Sequence, residues 1–311
     1  MIYTLTLNPA IDMTVYINKL EKGQVNRSSF YMLDAGGKGI NVSKVVKALG
    51  GETVALGFLG KENSDYILKY LKRFGIKNDF VFVDGFTRIN VKIVETEASA
   101  YTDINQAGFE ITEKDIQNLF DKLEEVPGKD DIFVISGSLP GNCDEEIYFE
   151  IIKKLKQKDV VVIFDADGNA LKKGLEAAPD VIKPNIYEFK SLFDVDERDL
   201  NSLVLCARQL IFEKGVKMVL VSMGENGAVY VSKNTALFAK PVKTEVKSTT
   251  GAGDSMVAAI AFGIEKKMSE EEMFKFACAC ALAKVAQEGV RAPDKNSVQQ
   301  CFEKIELERL G

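Results

Sequence analysis

The run Ser248-Thr249-Thr250-Gly251-Ala252-Gly253-Asp254 places small residues and a carboxylate just ahead of an apolar helical pattern. Its glycines carry no side chains, so an anion can approach the backbone N–H groups, and the helix that follows directs its positive dipole end to the same place. Asp254 would then stand beside the anion, where it can accept a proton from an incoming hydroxyl. The run predicts phosphoryl transfer, with a tight turn and a helix cap as the alternative.

Histidine is absent from the chain, and its absence excludes several kinds of catalytic site. Serine triads, cysteine–histidine pairs, HExxH zinc sites and phosphohistidine chemistry all require it. Any general base must therefore be Asp, Glu, Lys, Cys or Tyr. The five cysteines form no C-x-x-C pair, so neither a zinc knuckle nor a disulfide framework is indicated. A reducing, cytoplasmic setting fits this cysteine pattern.

The composition is that of an ordinary globular protein. The 311 residues are 46% hydrophobic and 28% charged, with a net charge of −6, which argues against a nucleic-acid surface. No apolar window approaches the length of a membrane span, and Met1 to Leu7 has neither the charge nor the length of a signal peptide. We expect one α/β domain over residues 1–311, with no nucleic-acid or membrane partner.

Strands and helices alternate along the chain. Short apolar runs between turn residues predict strands, and apolar residues three or four apart predict helices. The clearest predicted strands are Met1–Leu7, Thr53–Phe58, Phe80–Val83, Asp131–Ser136, Val160–Asp165 and Met218–Ser222. The clearest predicted helices are one from Gly39 and those over Asn63–Phe74, Thr112–Val126, Asp144–Lys156, Asn185–Phe193, Leu200–Glu213 and Glu270–Gln287. After a hairpin over Ala228–Val242, the tail from Gly251 is predicted to be nearly all helical. The alternation predicts a doubly wound, mostly parallel sheet flanked by helices.

A different pattern marks two segments near residues 12–34 and 87–106. Thr87 to Glu95 alternates with period two, and Ala100 to Gln106 continues the β character after a turn. The polar positions of the first run are Arg88, Asn90 and Lys92. A strand with one polar face predicts an exposed sheet, such as a small β-sheet lid over a cleft.

Polar loops follow most of the predicted strands. Neither a Walker A motif nor a G-x-G-x-x-G fingerprint occurs, so the common nucleotide-binding motifs do not apply. Because the carboxyl ends of parallel strands meet at one edge of a sheet, we expect these loops to lie together. They are Asp12, Gly36–Asn41, Ser136–Pro140, Asn185–Glu188, Ser222–Gly227 and Gly251–Asp254.

Two of these motifs resemble those of the ribokinase-like (PfkB) family of carbohydrate kinases. They are Gly36-Gly37-Lys38-Gly39-Ile40-Asn41-Val42-Ser43 and Thr249-Thr250-Gly251-Ala252-Gly253-Asp254-Ser255, and the resemblance extends over essentially the whole chain. Four shorter stretches are similar to the phosphosugar branch of the family: Leu7–Asp12, Thr87–Lys92, Ser136–Pro140 and Lys183–Glu188. Thr102-Asp103-Ile104-Asn105-Gln106 brings the chain nearest to the 1-phosphofructokinases within that branch.

The resemblance implies a division of roles among these residues. Asp254 would be the general base, and the N–H groups of Gly251, Ala252 and Gly253 would hold the transferring phosphoryl group. The substrate side would comprise Asp12 and Asn41 for sugar hydroxyls, Gly37 for close backbone approach, and Lys38, Arg88 and Ser138 for the acceptor phosphate, with Asn105, Arg27 and Lys92 as further candidates. The nucleotide side would comprise Lys183, Asn185, Ser222, Gly224, Gly227 and Thr249, with Gly251 and Gly253. Glu188 would order Mg²⁺ through water. Taken singly, Lys38, Arg88, Lys92 and Glu188 would more often be solvated surface charges than ligand contacts, and only the two motifs together favour the functional roles.

The activity implied is transfer of a phosphoryl group from ATP, with Mg²⁺, to fructose 1-phosphate, giving fructose 1,6-bisphosphate without a covalent intermediate. Tagatose-6-phosphate kinase and 6-phosphofructokinase activities are alternatives with the same base. A non-catalytic sugar- or nucleotide-binding regulator is a remote alternative, since Asp254 and the glycines are all present. Lids of this family often pair between subunits, so the resemblance also implies a possible homodimer through the lid.

Overall fold

The computed structural model describes residues 1–98, 100–125, 128–287, 289 and 291–311. Its strands are β1 (Ile2–Thr6), β2 (Ala10–Ile17), β3 (Phe30–Gly36), β4 (Thr53–Gly60), β5 (Lys77–Val83), β6 (Arg88–Glu95), β7 (Ala100–Ile104), β8 (Ile132–Ser136), β9 (Val161–Asp165), β10 (Val181–Ile182), β11 (Met218–Ser222), β12 (Ala228–Ser232), β13 (Ala236–Ala239) and β14 (Leu307–Arg309). Its helices are α1 (Lys38–Ala48), α2 (Ser64–Arg73), α3 (Glu113–Glu125), α4 (Ile147–Lys156), α5 (Gly168–Leu175), α6 (Ile186–Leu192), α7 (Leu200–Lys214), α8 (Ala252–Glu265), α9 (Glu270–Val285) and α10 (Lys295–Phe302).

The main sheet has ten strands in the order β14-β13-β12-β11-β10-β9-β8-β1-β4-β5. Pairing is parallel from β5 to β11 and antiparallel from β11 to β14. Neighbouring residues of one strand serve opposite faces: Phe133 belongs to the core cluster that includes residues of α4, α5 and α7, whereas Val134 belongs to the cluster that includes residues of α1, α8 and α9. Burial on both faces explains why β8 and β9 are continuous apolar runs.

A second sheet of four strands, in the order β3-β2-β6-β7, is separate from the first. We call it the small sheet. Its central pair, β2 and β6, is parallel, and β3 and β7 add to it in antiparallel fashion. All residues of β6 are half-buried and all of β7 are exposed. The prediction of a mostly parallel sheet flanked by helices, with a small additional sheet, is confirmed.

Several details differ from the sequence-based expectations. Asp12 lies within β2 and not in a loop after the first strand. The tail is not wholly helical, because β14 pairs with β13 through Leu237 and Arg309; a strand of three residues is too short to produce a periodic pattern. The predicted end of one helix at Val126 lies outside the described residues. In the described part of the chain, no helix has the length and apolarity to cross a membrane.

Candidate active site

The carboxyl edge of the main sheet gathers the polar loops. Asp165 ends β9, Lys183 follows β10 and Ser222 ends β11. The amino ends of α1, α6 and α8 begin at the same edge, after Gly37, Asn185 and Gly251. Helix amino ends carry free N–H groups and partial positive charge, so this edge is suited to binding anions.

Asp254 lies in the first turn of α8 and is 7% exposed. Its Oδ2 accepts a hydrogen bond of 2.9 Å from Asn41 Nδ2 on α1. Burial raises the pKa of this carboxyl; nearby Asp165 adds to the effect, while Lys38, Asn41 and Lys183 oppose it. A carboxylate with a raised pKa is a stronger base, and its orientation is fixed by the Asn41 amide.

The turn before α8, residues 248–253, is called here the glycine loop. Gly251 has φ 83°, a left-handed conformation that glycine adopts without strain. The N–H of Ala252 is engaged, since it donates to Thr249 O at 3.2 Å. Among the described residues, the N–H groups of Gly251, Gly253 and Asp254 have no acceptor. The N–H groups of Gly251, Ala252 and Gly253 were the predicted anion donors. In the structure the N–H group of Asp254 is available in place of that of Ala252.

Two lysines converge on a buried carboxylate next to this loop. Asp165 is 2% exposed, and its Oδ1 lies 3.6 Å from Lys38 Nζ and 3.5 Å from Lys183 Nζ. Asp165 raises the pKa of Lys38 above its ordinary value, so the ammonium stays charged. A β-carbon placed on Gly253 would lie 3.2 Å from Lys183 Nζ. Both cations are thus held beside the glycine loop.

The structure places Asp165 in the site, although sequence reasoning did not select it. Its signal was present but weak: a carboxylate at the end of an otherwise apolar strand, Val161-Val162-Ile163-Phe164-Asp165. A charged side chain at the end of a buried strand is expected to have an oppositely charged partner or to take part in binding or catalysis.

Asp12 lies on β2 of the small sheet, opposite Asn90 on β6. Its Oδ1 accepts from Asn90 Nδ2 at 3.1 Å, and a β-carbon on Gly36 would stand 2.0 Å from its Oδ2, so a side chain there would displace the Asp12 carboxylate. Burial raises the pKa of Asp12. The side-chain oxygens Oδ1 of Asn41 and Asn90 are buried and find no hydrogen-bond partner among the residues that the structure describes. Buried polar atoms without partners indicate a place where ligand or water completes the hydrogen bonds.

Arg88, at the start of β6, spans the gap between the small sheet and the main sheet. Its Nη2 donates to Asn8 O at 3.0 Å and to Ser138 Oγ at 3.2 Å, and its Nη1 donates to Gln106 O at 3.4 Å. The predicted phosphate ligands Arg88 and Ser138 are therefore in contact. Ser138 is exposed, and the guanidinium is half-buried.

The predicted nucleotide residues line the neighbouring loops. Asn185 caps α6 by accepting from the N–H groups of Tyr187 and Glu188, both at 2.9 Å. Ser222 N donates to Pro184 O at 3.1 Å, which joins the ends of β10 and β11. Gly224 and Gly227 have positive φ angles, and a β-carbon on Gly227 would lie only 2.2 Å from the oxygen of Ala239.

The side chains of some other predicted site residues form no hydrogen bond with the described part of the site. Within the described part of the chain, the side chains of Arg27, Asn105 and Thr249 are exposed and make no hydrogen bond or ion pair. Lys92 does reach the glycine loop, since its Nζ donates to Thr250 Oγ1 at 3.2 Å. This bond joins the small sheet to the start of α8.

The described residues contain no group of three or more Asp, Glu, Cys or His side chains that could hold a metal ion. Glu188 instead completes the capping box of α6, its Oε2 accepting from Asn185 N at 2.7 Å. Burial raises the pKa of Glu188, with Lys38 and Lys183 acting in the opposite direction. A single carboxylate fits Mg²⁺ bound through water and substrate phosphates, and does not form a cage for a bare ion.

The site geometry can be set beside known proteins. A model of the pfkB family of carbohydrate kinases matches residues 5–296. The 1-phosphofructokinase of Vibrio cholerae is 35% identical over 99% of this chain and 97% of its own length. The crystal structure of a phosphofructokinase from Staphylococcus aureus, described as putative by its authors, has a TM-score of 0.88 at 32% identity and covers 100% of this chain and 99% of that one. The crystal structure of phosphofructokinase-2 from Escherichia coli in complex with fructose-6-phosphate has a TM-score of 0.90 at 26% identity. The match covers 97% of this chain and 98% of that one.

The chain therefore belongs to the pfkB family of carbohydrate kinases. The predicted resemblance, the ribokinase-like fold and the prediction of a phosphotransferase with an alcohol group as acceptor are confirmed. Membership of a kinase family implies ATP as the phosphoryl donor.

Proposed function

We propose that this protein transfers the γ-phosphoryl group of ATP to the free primary hydroxyl of fructose 1-phosphate, giving fructose 1,6-bisphosphate. One observation carries the proposal. Asp254 is buried, is oriented by Asn41, and lies in the same helical turn as backbone N–H groups that have no acceptor among the described residues. A base and an anion site side by side are what a hydroxyl needs to attack phosphorus.

Asp254 acts as the general base. The sugar oxygen forms a bond to the γ-phosphorus as the bond to the β,γ-bridging oxygen breaks, and the hydroxyl proton passes to Asp254. The N–H groups of Gly251, Gly253 and Asp254 stabilise the charge that spreads over the phosphoryl oxygens. Lys38 and Lys183, held by Asp165, add positive charge at this point. This position for Lys38 differs from its expected role at the acceptor phosphate.

The sugar lies between the two sheets. Asp12 accepts from sugar hydroxyls, and the unpartnered oxygens of Asn41 and Asn90 accept further hydroxyl protons. Arg88 and Ser138 bind the phosphate already present on the acceptor, because a guanidinium fork matches the geometry of phosphate oxygens. Gly37 allows the sugar to reach the backbone at the start of α1.

The nucleotide lies over β10 and β11, against Lys183, Asn185, Ser222, Gly224 and Gly227. Glu188 would hold Mg²⁺ through water, and the ion would supply positive charge to neutralise the nucleotide phosphates.

The small sheet acts as a lid that excludes water from the transfer. Its outer residues Phe30, Tyr31, Tyr101 and Ile104 are 57%, 59%, 65% and 52% exposed. Exposed aromatic and aliphatic side chains on one sheet suit contact with a second copy, so we propose a homodimer through this sheet. Light scattering, which gives the molar mass in solution, tests the proposed homodimer. A monomer at micromolar concentration would contradict it.

Initial rates of the purified protein with ATP and Mg²⁺ test the reaction. Fructose 1-phosphate, tagatose 6-phosphate, fructose 6-phosphate and fructose are compared as acceptors. The relatives named 1-phosphofructokinase favour the first, whereas the E. coli protein solved with fructose-6-phosphate makes the third the second candidate. We expect kcat/KM on fructose 1-phosphate to exceed each rival by at least about tenfold. If kcat/KM is higher on another phosphosugar, that sugar is the acceptor instead. If none of the four sugars is phosphorylated, the proposed function is wrong.

A further inference from the structure

Lys284, in the last turn of α9, is 1% exposed. Its Nζ donates to Gly289 O at 2.8 Å, and within the described ranges no carboxylate lies at ion-pair distance from it. Burying an ammonium without a carboxylate is costly, so a role beyond packing is indicated. The role of a helix cap is one possibility, since a lysine near a carboxyl end complements the dipole.

The position of Lys284 points to a second role. A β-carbon on Gly251 would lie 3.4 Å from Lys284 Cε, so the lysine stem forms the floor under the glycine loop. The next residue, Val285, uses its carbonyl oxygen to accept from Lys247 N at 2.8 Å and from Ser248 N at 3.2 Å. The end of α9 therefore supports both the entry to the loop and the loop itself.

Charged groups from four other elements face this ammonium. Asp254 of α8 and Asp34 of β3 favour the charged form, while Lys44 of α1 and Lys92 of β6 oppose it. Burial, which is the largest influence, lowers the pKa of Lys284 to about 8. The ammonium is thus charged at neutral pH and loses its proton under mildly alkaline conditions.

We propose that Lys284 is a positioning residue for phosphoryl transfer, whose buried ammonium supports the glycine loop from below and supplies a fixed positive charge beside the incoming phosphoryl group. The inference rests on the proposed function. A fixed cation here reduces the energy needed to gather negative charge at Gly251 and keeps the N–H groups of the loop in place. A helix cap alone would stabilise the fold without affecting the chemical step.

Chemical rescue tests this role. Lys284→Ala removes the ammonium and leaves space for a small cation, whereas Lys284→Met removes the charge but fills the space. We expect kcat to fall at least about tenfold in both variants while the KM values for ATP and phosphosugar change less than about threefold. Ammonium chloride restores the kcat of Lys284→Ala by at least about fivefold and leaves Lys284→Met unchanged. Sodium chloride at the same ionic strength serves as the salt control.

Lys44→Ala is the matched control, because Lys44 is 6% exposed and donates to Ala35 O at 2.7 Å. Equal rescue of both alanine variants by ammonium would show a non-specific effect and overturn the proposal. So would a Lys284→Met enzyme within about twofold of the parent kcat. If Lys284→Ala lowers thermal stability but leaves the kcat of the folded fraction intact, Lys284 acts only as a helix cap and the proposal is wrong.

The pH dependence of kcat in the parent enzyme tests the role of Lys284 without a substitution at that position. We expect kcat to decline above about pH 8, as the ammonium loses its proton, and the decline to persist in Lys44→Met. A kcat that stays constant from about pH 7 to pH 9.5 contradicts the role. All these outcomes are measured against an active parent enzyme. Inactivity of the parent on every sugar instead refutes the proposed function and is seen before any variant is made.

Discussion

Asp165→Asn is the substitution whose effect on the folded state follows most directly from the site geometry. It keeps the shape of the side chain but removes the charge that holds Lys38 and Lys183 at 3.6 and 3.5 Å. Lys183 is 6% exposed, so its pairing is little screened by solvent, whereas the side chain of Lys38 is 32% exposed and contributes less.

The size of this loss can be limited from above. Removing one partner of a buried ion pair costs about 3–5 kcal/mol. The cost cannot exceed that of neutralising one lysine at pH 7, about 5 kcal/mol from its ordinary pKa. Because the side chain of Lys38 is 32% exposed and its pairing is partly screened by solvent, we expect a loss of about 2–4 kcal/mol in the free energy of unfolding.

Urea unfolding at pH 7 measures the loss, with Asp167→Asn as the control. Asp167 stands two positions further along the chain but is exposed, and its side chain makes no capping hydrogen bond. The control should change the free energy of unfolding by less than about 0.5 kcal/mol. If Asp165→Asn is as stable as the control, the two lysines are not held by Asp165 and the electrostatic reasoning fails.

Three further outcomes concern catalysis. Arg88→Ala raises KM for the phosphosugar at least about tenfold and leaves KM for ATP unchanged; an effect confined to ATP would place Arg88 at the wrong end of the site. Gly253→Ala lowers kcat about tenfold, because the new methyl group meets Lys183 Nζ at 3.2 Å beside the phosphoryl site; unchanged kcat would mean that the ammonium moves aside freely. The pH profile of kcat has an acid limb with a midpoint above the ordinary value of Asp, since burial raises the pKa of Asp254 and the base must be ionised; a limb at or below about pH 4 contradicts this assignment.

Much of the fold could be predicted from local patterns. Apolar runs of strand length gave β8 and β9, and the spacing of Ile40, Val42, Val45 and Val46 gave α1. Period-two alternation distinguished the strand β6 from the buried parallel strands, because its two faces have different surroundings. The short edge strand β14 had no such signal, since its pairing with β13 is decided by contacts between distant parts of the chain.

The candidate site divides in the same way. Asp254 and the glycine loop were identified because they are adjacent in sequence and precede a helix. Asp165 and Lys284 were not, because each becomes meaningful only through a residue far along the chain: Asp165 through Lys38 and Lys183, and Lys284 through Gly251. A single sequence records residue types and spacing but not which distant side chains meet. The engagement of Ala252 N–H with Thr249 O likewise depends on backbone geometry.

The general-base role of Asp254 can be measured directly with Asp254→Asn. The amide keeps the size of the side chain and can still bond to Asn41, but it cannot take a proton. We expect kcat to fall by about 10²–10⁴-fold while calorimetry shows that a non-hydrolysable ATP analogue binds as before. Removing a buried carboxylate with a raised pKa also makes the free protein more stable at pH 7. A variant that turns over within about threefold of the parent would show that another group accepts the proton.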